Sequence, residues 1–198
     1  FRATAELFAN DDVGALNGIA ELAADAAVFA ENALFFAGLL SNSGNGPATA
    51  DGVAFFNAAH GNVAAGAALD ATSLGAALSL LRKQTSPSGS KLNLAGRLLV
   101  CGPDNEVRAH QAVAAITSGT TPLLDVVVDA HLAVTQGWYV FADPRVRPAF
   151  VHGFLRDRPD PDVTTRIGWV HDGPEWRVGV SVAMAVYDWR AAVRNPGA

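Results

Sequence analysis

Apolar side chains recur every three or four positions through the first fifth of the chain. Leu16, Ile19, Ala20, Ala23, Ala27, Ala30, Leu34 and Ala37 share one side of a helical wheel, while Glu21, Asp25 and Asn32 fall mostly on others. This period predicts a helix over residues 12–40, roughly 40 Å long at the usual rise. Asn10-Asp11-Asp12 supplies a capping residue and two first-turn carboxylates, suited to the positive end of a helix. Its many alanines would let another backbone approach closely. Ser41-Asn42-Ser43-Gly44-Asn45-Gly46-Pro47 stops it.

Asp51-Gly52-Val53-Ala54-Phe55-Phe56 reads as a turn leading into a short apolar strand or extended arm, closed by Ala59-His60-Gly61-Asn62. A second helix is expected over 73–84, capped by Thr72 or Ser73, and 86–89 form the next loop. Residues 98–100 read as a buried strand, after which Gly102-Pro103-Asp104-Asn105-Glu106 opens a helix carrying Val107, Ala114 and Ile116. The rest is mainly β. Residues 123–128, 137–141 and 150–155 are rich in β-branched and aromatic residues. Pro159 and Pro161 keep 159–162 out of a central ladder. Residues 166–170 and 176–182 flank His171-Asp172-Gly173-Pro174-Glu175 as a hairpin. Helices first and strands last predict an α+β fold.

Composition adds one anomaly. Only 17% of the 198 residues are charged while 50% are hydrophobic, against a usual charged share of about 25%. Either the chain spans a membrane or something covers its surface. A spanning helix needs roughly 20 consecutive apolar residues. The best stretch, 23–40, is interrupted by Asp25, Glu31 and Asn32, and no signal-peptide pattern is present. Burial against sister subunits is the better explanation, because obligate assemblies have large apolar interfaces. The length fits one domain or two small ones. A net charge of −5 argues against a dedicated nucleic-acid binder. The single cysteine excludes an intrachain disulfide or a cysteine-based zinc cluster. The chain opens at Phe1 with no methionine, so further sequence is expected upstream.

Candidate chemistry is sparse. Cys101, at a strand end before a helix start, could act as a nucleophile with one of His60, His110, His131, His152 or His171. A small buried core residue is the preferred reading. The histidines lack metal-ligand spacing, and Asp125 with Asp129 makes at best an ordinary strand pair. The Gly44–Gly46 loop is neither a phosphate loop nor a dinucleotide fingerprint, and no nucleophile-elbow serine is present. No catalytic residue, metal site or cofactor is implied. Arg145, Arg147, Arg156, Arg158 and Arg166 form the one basic concentration, interleaved with Asp143, Asp157, Asp160 and Asp162. Arginine outnumbers lysine 12 to 2, which suits bidentate ion pairs between subunits. A solvated belt of mixed charge is an equal alternative.

Several of these segments together carry a resemblance. Asn10-Asp11-Asp12 with the alanine-rich helix, Ala50-Asp51-Gly52-Val53-Ala54-Phe55-Phe56 and Ala59-His60-Gly61-Asn62 resemble the phage Mu-type major head subunit. They resemble equally the capsid half of prohead protease–major capsid fusion proteins. The likeness continues through Trp138-Tyr139-Val140-Phe141-Ala142-Asp143-Pro144 and Asp188-Trp189-Arg190 to Asn195-Pro196-Gly197-Ala198, which looks like the family's C-terminus. It covers nearly the whole chain in family order. It implies a Hong Kong 97-like capsid fold, with a spine helix from about Asp12 to Leu40. Residues 1–71 would form the peripheral domain and 72–165 the axial domain, and strands from Arg166 on would return along the spine. The family's N-terminal arm and extended loop would precede residue 1. Some related capsids cross-link a lysine in that loop to a neighbour's asparagine. Lys83 and Lys91 lie in no such loop, so that chemistry is not implied here.

The implied function is a structural one: a major capsid subunit that assembles into hexamers and pentamers of an icosahedral shell around double-stranded DNA. Portal, scaffold and decoration proteins would be its partners. DNA contact would be weak and sequence-independent, assembly would take place in the host cytoplasm, and no membrane would be involved. An encapsulin-like compartment around protein cargo is the neighbouring alternative, and a cysteine hydrolase using Cys101 the remote one.

Overall fold

The computed structural model describes residues 19–119, 123–132, 137–157, 160–168 and 173–198. The contacts divide the chain into two compact units. One comprises the N-terminal run to Phe35 with His152–Met184, the other Phe36–Val151 with Ala185–Ala198.

Three helices carry most of the helical structure: α1 (Ile19–Leu39), α2 (Ala71–Lys83) and α3 (Glu106–Ile116). Helix α1 is present as expected over its described length, but of the predicted stripe Ala30, Leu34 and Ala37 are exposed, and its buried residues among those described are Phe36 and Leu39. Its expected cap at residues 10–12 lies outside the described residues. It ends at Leu39, and the Ser41 hydroxyl donates to the Gly38 carbonyl at 2.7 Å. The following turn, Ser41–Gly44, takes left-handed φ at Asn42 (51°), Ser43 (59°) and Gly44 (83°). Helix α2 starts two residues earlier than the expected 73, because Asp70 is its cap. The Asp70 carboxylate accepts from the Ser73 N–H at 2.7 Å and the Ser73 hydroxyl accepts from the Asp70 N–H at 3.1 Å, a reciprocal capping box.

The strands are β1 (Gly96–Cys101), β2 (Asp125–Val128), β3 (Trp138–Ala142), β4 (Phe150–Phe154), β5 (Asp162–Gly168), β6 (Gly173–Gly179), β7 (Val182–Val186) and β8 (Ala192–Asn195). In the second unit a mixed sheet runs in the order β2-β1-β3-β8. Strands β1 and β2 are parallel and joined through α3, while β3 is antiparallel to both β1 and β8. Every residue of Trp138-Tyr139-Val140-Phe141-Ala142 is buried, which is why this central strand reads as one unbroken apolar run. Helix α2 buries Leu74, Ala77 and Leu81 at helical spacing. A Cβ at Gly96 would lie 2.5 Å from Leu78 Cδ2, so a side chain there would have to displace the end of Leu78 where α2 crosses β1.

Residues 51–56 do not form the expected strand. A single bridge, Ala48 to Ala54, is their only ladder contact among the described residues. The Phe55 N–H goes to the Pro47 carbonyl at 2.9 Å and the Phe56 N–H to the Asn45 carbonyl at 2.8 Å, both within the same loop. The two rings supply the apolar content. Phe55 stacks on Phe150 at 4.5 Å between centroids, and Phe56 lies 5.2 Å from Tyr139.

In the first unit β5 and β6 form an antiparallel pair from Asp162–Gly179 to Gly168–Gly173. The pair starts at Asp162, four residues before the expected strand, because Val163-Thr164-Thr165 extends the β-branched run. Its connection at 169–172 lies outside the described residues. Strand β4 pairs with β7. Leu22 and Phe29 of α1 and Ile167 of β5 are well exposed. Among the described residues no helix is long and apolar enough to cross a membrane. The fold is mixed α+β.

Candidate functional site

The second unit gathers residues that lie far apart in sequence. Asp51 and Gly52 sit in a tight turn where the Val53 carbonyl accepts from the Thr49 N–H at 2.8 Å and Gly52 takes a φ of 83°. The Asp51 carboxylate accepts from the Thr49 hydroxyl and from the Val53 N–H. A 3-10 turn, Ala58–His60, follows. The Asn57 side chain caps it by accepting from the Ala59 N–H at 2.9 Å, and Gly61 ends it with a φ of 63°. This turn sets the buried His60 ring with Nε2 2.7 Å from Asp51 Oδ2 and Nδ1 2.9 Å from the Phe55 carbonyl oxygen. The Thr49 hydroxyl, His60 and the Val53 N–H together hold the Asp51 carboxyl well below the usual carboxylate range.

Asp188-Trp189-Arg190 meets the same ring from the other end of the chain. The Trp189 and His60 rings stack at 4.2 Å between centroids and 6° between planes, and the Arg190 guanidinium lies 4.1 Å from the Trp189 ring. Asp188 accepts from Arg190 at 3.2 Å through Oδ1. Its Oδ2 lies 3.1 Å from Arg147 Nη1, in ion-pair range but off the hydrogen-bond direction. Asn62, fully buried, donates to the carbonyls of Phe55 (2.8 Å) and Trp189 (3.1 Å) and accepts from the Asn57 N–H at 3.0 Å. Of the residues singled out for their resemblance, Asp51, Gly52, His60, Gly61, Asn62, Asp188, Trp189 and Arg190 therefore share one cluster. Trp138 lies apart in β3, fully buried, its indole N–H without a hydrogen-bond partner among the described residues.

Sequence reasoning missed two residues in these ties. Gln84, just past α2, donates to the carbonyls of His60 and Gly61, each at 3.1 Å. Arg194 of β8 donates to the Ser43 carbonyl at 2.9 Å and to the Asn45 side chain, beside the Tyr139 hydroxyl that donates to the Gly44 carbonyl at 3.1 Å. Burial pushes the Tyr139 phenol above its usual range. Neither Gln84 nor Arg194 belongs to a recognisable motif, since each serves backbone atoms distant in sequence.

The mixed-charge belt divides between the two units. Asp143, Arg145 and Arg147 lie in the second; Arg156, Asp157, Asp160 and Arg166 lie in the first. Arg158 lies outside the described residues. Arg147 is turned toward Asp188, and Arg166 pairs across the β5–β6 ladder with Glu175 at 2.8 Å. Asp143 accepts from the Arg145 N–H at 2.9 Å, while the side chains of Arg145, Arg156, Asp157 and Asp160 are exposed.

Cys101 ends β1 fully buried, its thiol pushed up to about 11 by burial first and by the Glu106 charge second. A thiol held there is protonated at neutral pH and makes a poor nucleophile. Among the described residues no group of three or more histidine, cysteine, aspartate or glutamate side chains is arranged to hold a metal ion.

The polar groups of the cluster tie distant stretches of the chain to one another. The match to known families supplies the role. A family model described as Phage capsid protein covers residues 1–195, and the chain belongs to that family: it is a major capsid protein of a bacteriophage, structural in role. Comparison with individually curated proteins finds no match.

Proposed function

We propose that this subunit has a Hong Kong 97-like fold of the Mu-type head and assembles into hexamers and pentamers of an icosahedral shell enclosing double-stranded DNA. The observation that carries the reading is the capsid-family match over residues 1–195. The low charged fraction, 17%, supports it, because repeated subunit contacts cover surface that a monomer would have to solvate. Shell contacts of this kind are heterologous and repeat by symmetry.

In this reading residues 1–71 take the peripheral position, 72–165 surround the capsomer centre, and 166–198 return along the spine helix. These are positions in an assembled shell, distinct from the compact units of a single chain. The exposed members of the charge belt, Arg145, Arg156, Asp157 and Asp160, pair between neighbouring subunits. Assembly proceeds in the host cytoplasm, with portal, scaffold and decoration proteins as partners. Contact with the packaged DNA is weak and without sequence preference, a reading that the net charge of −5 supports.

Light scattering and negative-stain microscopy of purified native material test the proposal. Closed icosahedral shells containing nuclease-protected double-stranded DNA are expected. Shells filled with protein cargo would move the chain to the compartment class, and a stable monomer or dimer at high concentration would remove the reading.

A further inference from the structure

The atoms on either edge of the His60 ring determine where its protons sit. Nδ1 lies 2.9 Å from the Phe55 carbonyl oxygen, which has no proton to give. That oxygen also accepts from Asn62 Nδ2 at 2.8 Å, so it is held from a second side and does not swing away from the ring. Nε2 lies 2.7 Å from Asp51 Oδ2. Asp51 already accepts from the Thr49 hydroxyl and the Val53 N–H. Those donors and His60 keep its carboxyl ionised far into the acid range, and an ionised carboxylate is acceptor-only.

Both ring nitrogens therefore face acceptors. A neutral imidazole has one N–H and one lone pair. Either neutral tautomer would press that lone pair against an oxygen at 2.7 or 2.9 Å, in a site where the His60 side chain is only 4% exposed and water has little access. We infer that His60 is held in the folded subunit as an imidazolium donating from both ring nitrogens, so that the closure of the 51–60 loop beneath the Trp189 ring draws on one proton.

The surroundings are consistent with a cation there. The Trp189 face that stacks on the ring is electron-rich and favours a cationic ring over a neutral one. Arg190, beyond that indole, opposes a second positive charge, but it is paired with Asp188, which also faces Arg147. From the end of α2 the contact comes from uncharged Gln84, to the His60 carbonyl. Asp51 is thus the charged group in direct hydrogen-bond reach of the ring. The sign follows. Both ring hydrogen bonds are made while the proton is present, and its loss turns one of them into a contact between two lone pairs.

Histidine-selective nitrogen-15 labelling of the whole chain, read by NMR near neutral pH, is the test. The His60 ring is identified by its through-space contact with the Trp189 indole, so no variant is needed for assignment. Both ring nitrogens are expected to carry protons, with one lost on moving to alkaline pH. A ring with a single protonated nitrogen at neutral pH overturns the inference. Asp51→Asn is the second arm, because an amide can turn its N–H toward a ring lone pair. In this variant His60 is expected to be singly protonated at neutral pH. A ring still doubly protonated there would show that Asp51 does not hold the proton, and the inference would fail in this form.

Discussion

A methyl group at position 44 would lie 2.8 Å from Arg194 Nη2 and 3.0 Å from the Tyr139 hydroxyl, on a backbone with φ at 83°. Neither neighbour yields easily, since Arg194 is held by Ser43 and Asn45 and the Tyr139 ring is buried. Gly44→Ala is expected to cost about 1–3 kcal/mol, read as a lowered denaturant midpoint of the unassembled subunit. Asn62→Ala should cost a similar amount, about 1–3 kcal/mol, by removing the partner of half-buried backbone groups at Asn57 and Trp189. Asp51 carries a pH signature. Its carboxyl titrates lower in the folded chain than its ordinary 3.8, so its contribution is present above that value and is lost as pH falls through the lowered one. The stability difference between the native chain and Asp51→Asn should therefore still be present at pH 3.8 and close on further acidification. A gap that closes well above 3.8 would contradict the hydrogen bonding described around this carboxylate.

At the scale of elements, what was legible in the sequence was local. Helix α2 lies within two residues of its expected start, and the miss has a simple cause. Ser73 occupies the third helical position of a capping box, and Asp70 is the cap, a pairing that a search for the nearest hydroxyl overlooks. Ser73→Ala should remove the reciprocal half of that box at about 1 kcal/mol, visible as a lowered melting temperature. Residues 51–56 looked like a strand because Val53-Ala54-Phe55-Phe56 is apolar, yet their backbone groups bond within their own loop and the rings alone enter the core. Cys101, at the end of β1, was correctly read as buried. Iodoacetamide at mildly alkaline pH should modify it slowly in the folded chain and fast after denaturation, since its thiol is pushed up to about 11. The cluster itself was not legible. The motifs at 51–62 and 188–190 were each visible, but the hydrogen bond from Asn62 to Trp189 spans 127 residues, and no local pattern encodes that pairing.

At the scale of the molecule the charge belt separates into two kinds of residue, and the difference can be tested. Arg147→Glu should damage the subunit, because it sets a carboxylate against Asp188 beside the Trp189–His60 stack. Arg145→Glu and Arg156→Glu alter exposed side chains and should leave the circular dichroism and melting of the subunit unchanged while reducing the yield of closed particles in micrographs. Normal particle yields from both exposed variants would remove the belt from the account of assembly. Strand β8 completes the mixed sheet beside β3, and its residues Arg194 and Asn195 bond to the 62–67 stretch across 128 to 132 positions in sequence. Synthesis runs from the N-terminus, so the 62–67 stretch waits for the later strand to be made before it meets its partners. A nascent subunit stalled before Ala192 would carry β3 as an open edge, buried in the finished fold but exposed during translation. Emergence of β8, rather than the early appearance of the long helix, is then the event that makes a subunit fit to join others.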